Sequence, residues 1–298
     1  MRRDDDDGVT DLDDAAAVFA SLRPRLFGIA YRMLSSATEA EDLVQDVWLR
    51  WQTTDRSKVV NPGAFLATTT TRLAINELQS ARVRRETYIG PWLPEPVDTS
   101  ADPYLGAERG EALAFASLML MERLTAHERA AYVLREAFDY PYAQIADILK
   151  STEPAVRQLV SRAKKHMAGE KRTEVDPAAQ KELLTTFLAA ARTGDLAELE
   201  RLLAADVASI SDGNGAIRVA RRPVLGPVRV AQFYTALASW YWEGVEISFV
   251  TTNGQASAVL RRNGNLEGVM TVIGSADGIE QILWMANSDK IAAFAGHK

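Results

Sequence analysis

The chain has 298 residues, enough for two or three folded domains that each bury a hydrophobic core. Hydrophobic residues make up 47% and charged residues 25%, as in ordinary soluble proteins, and no uninterrupted apolar run reaches the roughly 18 residues that a membrane span requires. The absence of cysteine and the small number of histidines exclude disulfides and thiol chemistry and leave few ligands for a metal. We therefore expect a cytoplasmic protein with no membrane contact, no metal and no other cofactor.

The charges are distributed unevenly along the chain. The net charge is −6, but residues 141–172 carry seven cations against three anions, a local charge of +4 that leaves −10 for the rest. Such a basic segment favours the phosphate groups of a nucleic acid. The acidic residues 1–14 are predicted to form a disordered leader.

Residues 15–86 show the three- and four-residue spacing of apolar side chains that is typical of helices. In one of these helices, Leu43, Val47 and Trp48 are predicted to face inward. The side chains on the other faces form a mixed polar and apolar surface that could dock on a partner, although a solvated helix face is the alternative. These surface residues are Asp42, Gln45, Asp46 and Leu49.

A loop over residues 53–63 is followed by a further helix, whose polar and cationic residues suit contact with bases and phosphates. The cations near its end could equally stabilise the helix C-terminus through the helix dipole. The residues predicted to contact nucleic acid are Arg72, Asn76, Ser80, Arg82, Arg84 and Arg85.

Residues 87–110 form a linker rich in proline and acidic residues. The prolines around Trp92 and Leu93 make a stiff segment with an apolar tip, which can dock on a neighbouring surface at low entropic cost. The alternative is a simple spacer, but a tryptophan in a linker is unfavourable to leave in water. The predicted docking residues are Trp92, Leu93, Pro94, Glu95 and Pro96.

A second helical block covers residues 111–170, and its segment YPYAQIADILKSTEPAVRQLVSRAKKH predicts a helix-turn-helix. The second helix begins near Pro154 and has an apolar stripe opposite a polar, basic face. We expect that face to enter a DNA major groove, with Arg157 and Gln158 nearest the bases; the alternative is a solvated amphipathic hairpin. The predicted DNA-binding residues are Arg157, Gln158, Ser161, Arg162, Lys164 and Lys165.

Residues 176–298 contain predicted helices near 177–192, 195–204 and 227–239, followed by runs with the alternation of antiparallel strands. Helices followed by strands indicate an α+β domain. Its aromatic residues could line an apolar pocket for a small-molecule ligand, although such residues more often form the core.

The same domain offers few groups for acid-base catalysis. His297 is the penultimate residue, and Asp206, Asp212 and Asp289 are predicted to lie in loops. We therefore predict no catalytic residue.

Two blocks of the chain resemble, in order, the DNA-binding regions of extracytoplasmic-function (ECF) RNA polymerase sigma factors. LTAHERAAYVLREAFDYPYAQIADILKSTEPAVRQLVSRAKK is similar to region 4, which reads the upstream promoter element. EAEDLVQDVWLRW is similar to the region 2 helix that docks on the polymerase clamp, and AFLATTTTRLAINELQSARVRRE is similar to the helix that reads and melts the downstream element. Asn76 stands where the family more often has an aspartate. The resemblance implies core RNA polymerase and promoter DNA as partners.

The linker segment GPWLPEPV resembles the WLPEP signature of sigma factors that are fused to a SnoaL-like domain of the nuclear-transport-factor-2 (NTF2) fold. In those proteins the added domain replaces a separate anti-sigma factor and carries DGGGK and NPDKL motifs. Here the corresponding segments read DGNGA and NSDKI, and DGNG by itself is ordinary turn chemistry. The resemblance implies regulatory contacts from Asp212, Gly213, Gly215, Asn287, Asp289 and Lys290.

The sequence thus predicts a multidomain protein with two all-α sigma domains followed by a cone-shaped α+β SnoaL-like domain. The predicted function is transcription initiation, regulated in cis by contact of the SnoaL-like domain with the linker and the sigma domains. One alternative is a ligand-sensing helix-turn-helix regulator that never joins the polymerase. Another, less favoured, is a SnoaL-like enzyme with a DNA-binding appendage.

Overall fold

The computed structural model describes residues 4–100, 113–168, 176–215 and 219–294, and the side chains of residues 4–11, 82–86 and 293 are outside that description. The described residues form two compact units. The first contains those up to Val83, Leu113 and those from Leu120 to residue 168, and the second contains the others.

The first unit is helical, and the helices below lie wholly or partly in it. They are α1 (Asp4–Leu34), α2 (Ala37–Gln52), α3 (Pro62–Glu86), α4 (Phe115–Met121), α5 (Ala126–Tyr132), α6 (Tyr142–Leu149) and α7 (Glu153–Ala168). A π-helical turn, Val133–Ala137, continues α5, and a 3-10 turn, Arg56–Lys58, precedes α3. Local side chains set the helix starts: the Ser36 hydroxyl accepts a hydrogen bond from the Glu39 N–H at 3.1 Å at the start of α2.

Helix α1 starts earlier than the sequence predicted. It begins at Asp4, within the segment 1–14 for which we expected no structure, so that expectation is corrected from Asp4 onward. Every residue from Leu26 to Leu34 is buried, as expected for a helix that is enclosed on all its faces.

The second unit combines helices with one sheet. Its remaining elements are α8 (Pro177–Thr193), α9 (Leu196–Leu202), β1 (Leu203–Asp212), β2 (Val224–Leu225), α10 (Pro227–Ala238), β3 (Val245–Thr252), β4 (Gln255–Arg262), β5 (Asn265–Ser275), β6 (Gly278–Met285) and α11 (Ser288–Ile291). A 3-10 turn, Ala292–Phe294, follows α11. Helix α8 starts at the N-cap Asp176 and ends at Gly194, whose φ of 73° is the left-handed conformation that favours glycine at a helix end.

The sheet has the strand order β2-β1-β6-β5-β4-β3. Strands β3 to β6 form the antiparallel meander that the sequence predicted, and its first two turns are Asn-Gly pairs with positive φ at both residues, as tight hairpins require. Strand β1 was not predicted, and it pairs in parallel with β6. Its small alanine and serine residues give a weak alternation, so the sequence extended the preceding helix to residue 204 instead.

Both faces of the sheet are covered. One face packs against α8 and α10, with Phe187 and Tyr234 in a T-shaped ring contact at 4.8 Å between centroids. The other face carries alternate residues of the same strands, and it packs against Leu93, Phe115 and Phe294. Leu93 belongs to the linker, so the linker contributes to the hydrophobic core of the second unit.

Candidate nucleic-acid interface and linker-binding site

Helices α6 and α7 form the predicted helix-turn-helix. Helix α6 ends at Lys150, which has a left-handed φ of 52° and donates its N–H to the Ala146 and Asp147 carbonyl groups. The Ser151 N–H also donates to the Ala146 carbonyl, at 2.8 Å, and this closes the turn. Ile148 is buried on the inner side of α6, and Leu149 is half-buried.

Helix α7 has the two faces that its sequence predicted. Val156, Val160 and Ala163 are buried, and the opposite face is open to solvent. All six predicted DNA-binding side chains on this helix are exposed: Arg157, Gln158, Ser161, Arg162, Lys164 and Lys165. The surface is therefore polar, basic and accessible, as contact with DNA requires.

Acidic residues of neighbouring elements hold two of these cations. The Arg162 guanidinium lies 2.8 Å from the Glu128 carboxylate, and the Lys164 ammonium lies 2.9 Å from the Glu136 carboxylate. Burial alone would raise the pKa of Glu128, but hydrogen bonds from Thr125 and Arg162 outweigh it and hold that pKa below its usual value. Glu128 is thus ionised at neutral pH and orients Arg162 from α5.

The predicted partner-binding face of α2 is also exposed. Asp42, Gln45, Asp46 and Leu49 are all open to solvent, and 52% of the Leu49 surface is accessible. Inward-facing Leu43 and Val47 are buried, and Trp48 packs on Phe19 with ring centroids 5.0 Å apart. These side chains form the mixed polar and apolar surface that the sequence predicted.

Helix α3 presents its predicted nucleic-acid contacts unequally. Asn76 and Ser80 are exposed, whereas the side chains of Arg82, Arg84 and Arg85 lie outside the described part of the chain. Arg72 is half-buried and donates from Nε to the Ile148 carbonyl at 2.8 Å and from Nη2 to the Asp147 carbonyl at 2.9 Å. The structure therefore joins Arg72 to α6 and does not leave it on an open surface with Asn76.

In the second unit, Asp212 is the centre of a buried polar cluster. The sequence placed Asp212 in a loop, but it is the last residue of β1 and is completely buried. Its carboxylate accepts hydrogen bonds from the Tyr88 hydroxyl, from the Leu93 N–H at 2.8 Å and from the Lys290 ammonium at 2.7 Å. The expectation was wrong because the parallel pairing of β1 with β6 draws the end of β1 into the sheet.

Lys290 supplies the positive charge of this cluster. Its ammonium also donates to the Leu93 carbonyl at 2.6 Å and lies 4.0 Å from the ring centroid of Trp92 and 5.1 Å from that of Tyr88. Both backbone groups of Leu93 are therefore bonded to an ion pair, and two aromatic rings shield the cation. Burial, and then the hydrogen bond to Asp212, raise the pKa of the Tyr88 phenol, so the hydroxyl stays protonated and donates.

The other predicted regulatory residues surround this cluster. Asn287 donates from Nδ2 to the Tyr88 hydroxyl oxygen at 2.8 Å and caps α11 by accepting the Asp289 N–H at 3.1 Å. Asp289 itself is exposed in α11, and Asp206 is exposed in β1, so neither lies in the predicted loops. The residues of the linker that follow Leu93, namely Pro94, Glu95 and Pro96, are buried.

The two predicted glycines are constrained by their surroundings. A side chain on Gly213 would lie 2.8 Å from Val219, and Gly215 has a φ of 81° and lies against Ile89 of the linker. Both positions therefore favour glycine, for packing and for backbone conformation respectively.

Sequence reasoning missed two residues of the contact between the linker and the C-terminal domain, one on each side of it. Tyr88 precedes the recognised WLPEP segment, and no local pattern marks it. Asn253 sits in an Asn-Gly hairpin turn, and its N–H donates to the Val97 carbonyl while its side-chain oxygen accepts the Val97 N–H, each at 2.9 Å. The Asn-Gly pair signals a turn, but its second use as a binding group depends on the fold.

Across the described ranges, no group of three His, Cys, Asp or Glu side chains is placed to hold a metal ion. Helices long and apolar enough to cross a membrane are likewise absent from the described part of the chain.

Comparison with known proteins identifies relatives of both units. Residues 18–84 match the family model of Sigma-70 region 2, and residues 116–167 match that of Sigma-70, region 4. The ECF RNA polymerase sigma factor SigJ of Mycobacterium tuberculosis is 36% identical over 287 residues, which cover 91% of each chain. The probable ECF RNA polymerase sigma factor SigI of the same species is 29% identical over 275 residues, 91% of this chain and 92% of SigI. The crystal structure of M. tuberculosis SigJ matches with a TM-score of 0.75 and 32% identity, covering 93% of this chain and 98% of that chain.

Two helical sigma regions in this order, with full-length relatives, define the class of protein. The chain belongs to the family of ECF RNA polymerase sigma factors. This confirms the predicted family, the predicted fold class and the predicted function in transcription initiation, and it disfavours both alternatives. Sigma factors bind core RNA polymerase and promoter DNA.

Proposed function

We propose that this sigma factor is regulated in cis by its C-terminal domain, which acts by binding the linker between the two sigma regions. The observation that carries the proposal is the closure of the Lys290–Asp212 ion pair around the backbone of Leu93. The bound linker is the element whose two states, docked and released, would give two different separations of the DNA-binding regions.

The energetics of this cluster favour a switch with two discrete states. Releasing the linker would take the Leu93 N–H and carbonyl from their charged partners and would expose a Leu93 side chain that is now fully buried. Removing one partner of a buried ion pair typically costs about 3–5 kcal/mol, and burying a leucine stabilises by roughly 1.5–3 kcal/mol. Terms of this size are sufficient to bias the spacing of two domains.

Backbone pairing extends the bound segment beyond Leu93. Asp98 forms an antiparallel bridge with Thr252 at the end of the edge strand β3, and the Thr99 N–H donates to the Thr251 carbonyl at 3.0 Å. Together with the Val97–Asn253 bonds, this arrangement resembles the addition of a short strand to a sheet edge. Such pairing uses backbone groups, so it places few demands on the side chains of the linker and adds to the binding at Leu93.

In the proposed mechanism, each region has a separate task. The exposed face of α2, with Asp42, Gln45, Asp46 and Leu49, docks on the polymerase clamp. Helix α3 contacts and opens the downstream promoter element, and α7 holds the upstream element in the major groove. The mechanism places the protein in the cytoplasm with the polymerase, and it requires neither a catalytic residue nor a small-molecule ligand.

The test is run-off transcription with purified core polymerase. The full chain is compared with chains that end after Arg172 or just before Asn287, and with the variants Lys290→Met and Trp92→Ala. We expect promoter-dependent transcripts from the full chain and a changed yield from each of the others. The variant Lys181→Met, which removes an exposed cation of α8, is the matched control and should transcribe like the parent. Equal yields from all versions would contradict regulation through the linker.

A further inference from the structure

The ring of Tyr142, the first residue of α6, is a shared contact for two arginines. The guanidinium carbon of Arg157 lies 4.1 Å from the ring centroid, and that of Arg135 lies 4.9 Å from it. Arg135 is held in turn by the Tyr140 carbonyl, which accepts its Nη1–H at 3.0 Å. Arg157 is exposed, and its guanidinium also lies 3.4 Å from the carboxylate of Glu153, one turn earlier on α7.

We propose that Tyr142 is a positioning residue for the recognition of promoter DNA, because it fixes the guanidinium of Arg157 before DNA binds. An exposed arginine otherwise loses much side-chain freedom when it forms a two-pronged hydrogen bond with a base. A flat cation can keep its contact with an aromatic ring while its edge donates to guanine. The aromatic ring thus adds base selectivity without touching DNA.

This inference rests on the proposed contact of Arg157 with a base, and the experiment separates the two. Holoenzyme made from core polymerase and the full chain is tested on a set of promoters in which each base pair of the upstream element is changed in turn. The variants are Tyr142→Phe, which keeps the ring, Tyr142→Leu, which removes it, and Arg157→Ala.

We expect Tyr142→Phe to retain the parent's base preferences. Tyr142→Leu should reduce affinity roughly two- to fivefold, as the loss of one cation–π contact implies, and should weaken preference at the same base pair as Arg157→Ala. If the base preferences change in Arg157→Ala but not in Tyr142→Leu, the positioning role of Tyr142 is wrong and the base contact of Arg157 stands. Preferences unchanged in Arg157→Ala would overturn the base contact itself. Rescue by phenylalanine distinguishes positioning from a loss of folding.

A second inference comes from a different observation, the set of arginine contacts between region 2 and region 4. Arg72 donates to the last-turn carbonyls of α6, Arg25 donates to the Phe138 carbonyl at 3.3 Å, and Arg129 donates to the Arg32 carbonyl at 2.8 Å. Each contact joins a side chain of one region to the backbone of the other.

We infer that Arg72 acts as a latch that holds the helix-turn-helix against the promoter-melting helix in the free chain. The carbonyl groups at a helix C-terminus lack partners within the helix, and Arg72 satisfies the one on Ile148, so it caps α6 from another region. The same guanidinium is a predicted DNA contact. DNA phosphates and the α6 terminus therefore compete for it, and the latch opens when promoter binding separates the regions.

The chain contains no cysteine, so spin labels can be placed cleanly at Gln79→Cys and Ser151→Cys, which are both exposed. Pulsed electron paramagnetic resonance then measures the distance between α3 and the turn after α6 in the full chain. We expect one narrow distribution for the parent, a broader and longer one for Arg72→Ala, and an intermediate one for Arg72→Lys. Arg50→Ala, which removes an exposed cation of α2, is the control and should match the parent. An unaltered distribution in Arg72→Ala would overturn the latch.

Discussion

At the scale of residues, the proposed regulation depends on a buried pair of opposite charges. Asp212 and Lys290 are both almost fully buried, and each compensates the charge of the other while bonding to the Leu93 backbone. A buried charge without its partner is costly, so the pair behaves as one unit. The exposed residues of the same motif, such as Asp289, have no comparable constraint.

At this scale we predict that Asp212→Ala lowers the free energy of unfolding of the second unit by about 3–5 kcal/mol, because it leaves the Lys290 ammonium buried and unpaired. Urea unfolding followed by tryptophan fluorescence measures the change. Asp289→Ala, which removes an exposed carboxylate from α11, the helix of Lys290, should change the unfolding free energy by less than about 0.5 kcal/mol. Similar losses in both variants would show that burial is not what makes Asp212 important.

Glu128 gives a second prediction, about pH. Its pKa is lower in the folded protein, so its carboxylate contributes stability above the unfolded-state pKa of about 4.3, and this is lost as the pH falls through the lower, folded value. Glu128→Gln should therefore reduce the fall of the melting temperature between about pH 5 and pH 3. Glu182→Gln, at an exposed position of α8, should keep the fall seen in the parent. An identical acid profile in both variants would contradict this account.

At the scale of elements, helices α2 and α7 each combine one buried stripe with one exposed face, and the exposed faces differ in kind. The face of α7 is basic and suits DNA, whereas the face of α2 is acidic with Leu49 at its edge and suits a protein surface. The stripes position these faces, because the buried residues fix the rotation of each helix about its axis.

We predict that Leu49→Ala weakens binding of the full chain to core polymerase at least several-fold, because an apolar anchor at a docking surface is lost. The free energy of unfolding of the variant should remain within about 0.5 kcal/mol of the parent's, since the Leu49 side chain is half accessible in the free protein. Fluorescence anisotropy with labelled sigma factor measures the affinity. Arg50→Ala, at the next position, is the comparison, and a loss of equal size there would assign the effect to the helix and not to Leu49.

At the scale of the molecule, the linker is both the covalent connection between the sigma regions and part of the core of the second unit. Leu93 packs on the sheet face opposite the one that α8 and α10 cover, together with Phe115 from the start of α4. One surface of the C-terminal domain therefore binds residues from both ends of the segment that joins region 2 to region 4. In the proposed mechanism, this surface is where the domain acts on the spacing of those regions.

Limited proteolysis tests whether the linker is bound in the free protein. We predict slow chymotrypsin cleavage after Trp92 in the parent and faster cleavage in Lys290→Met, because proteolysis requires the segment to leave its binding site. Lys181→Met should be cut at the rate of the parent. Rapid cleavage after Trp92 in the parent would show that the linker is mostly released.

The sequence by itself determined the elements that depend on neighbours in the chain. The helix-turn-helix follows from the 3.6-residue spacing on α7 and from turn residues beside it, and the meander follows from strand alternation broken by Asn253-Gly254 and Asn263-Gly264. These signals are local, so they can be read without knowing the fold.

Tertiary structure alone decided the contacts between residues far apart in the chain. The parallel pairing of β1 with β6 buried Asp212, joined it to Tyr88 and gave Lys290 its partner, while region 4 supplied the partner of Arg72. No local pattern encodes such pairs, because a side chain of given chemistry can be a surface group or a buried one. Packing decides which side chains become buried. A buried polar group that finds no partner loses its hydration without compensation, so the fold that forms is one that supplies those partners.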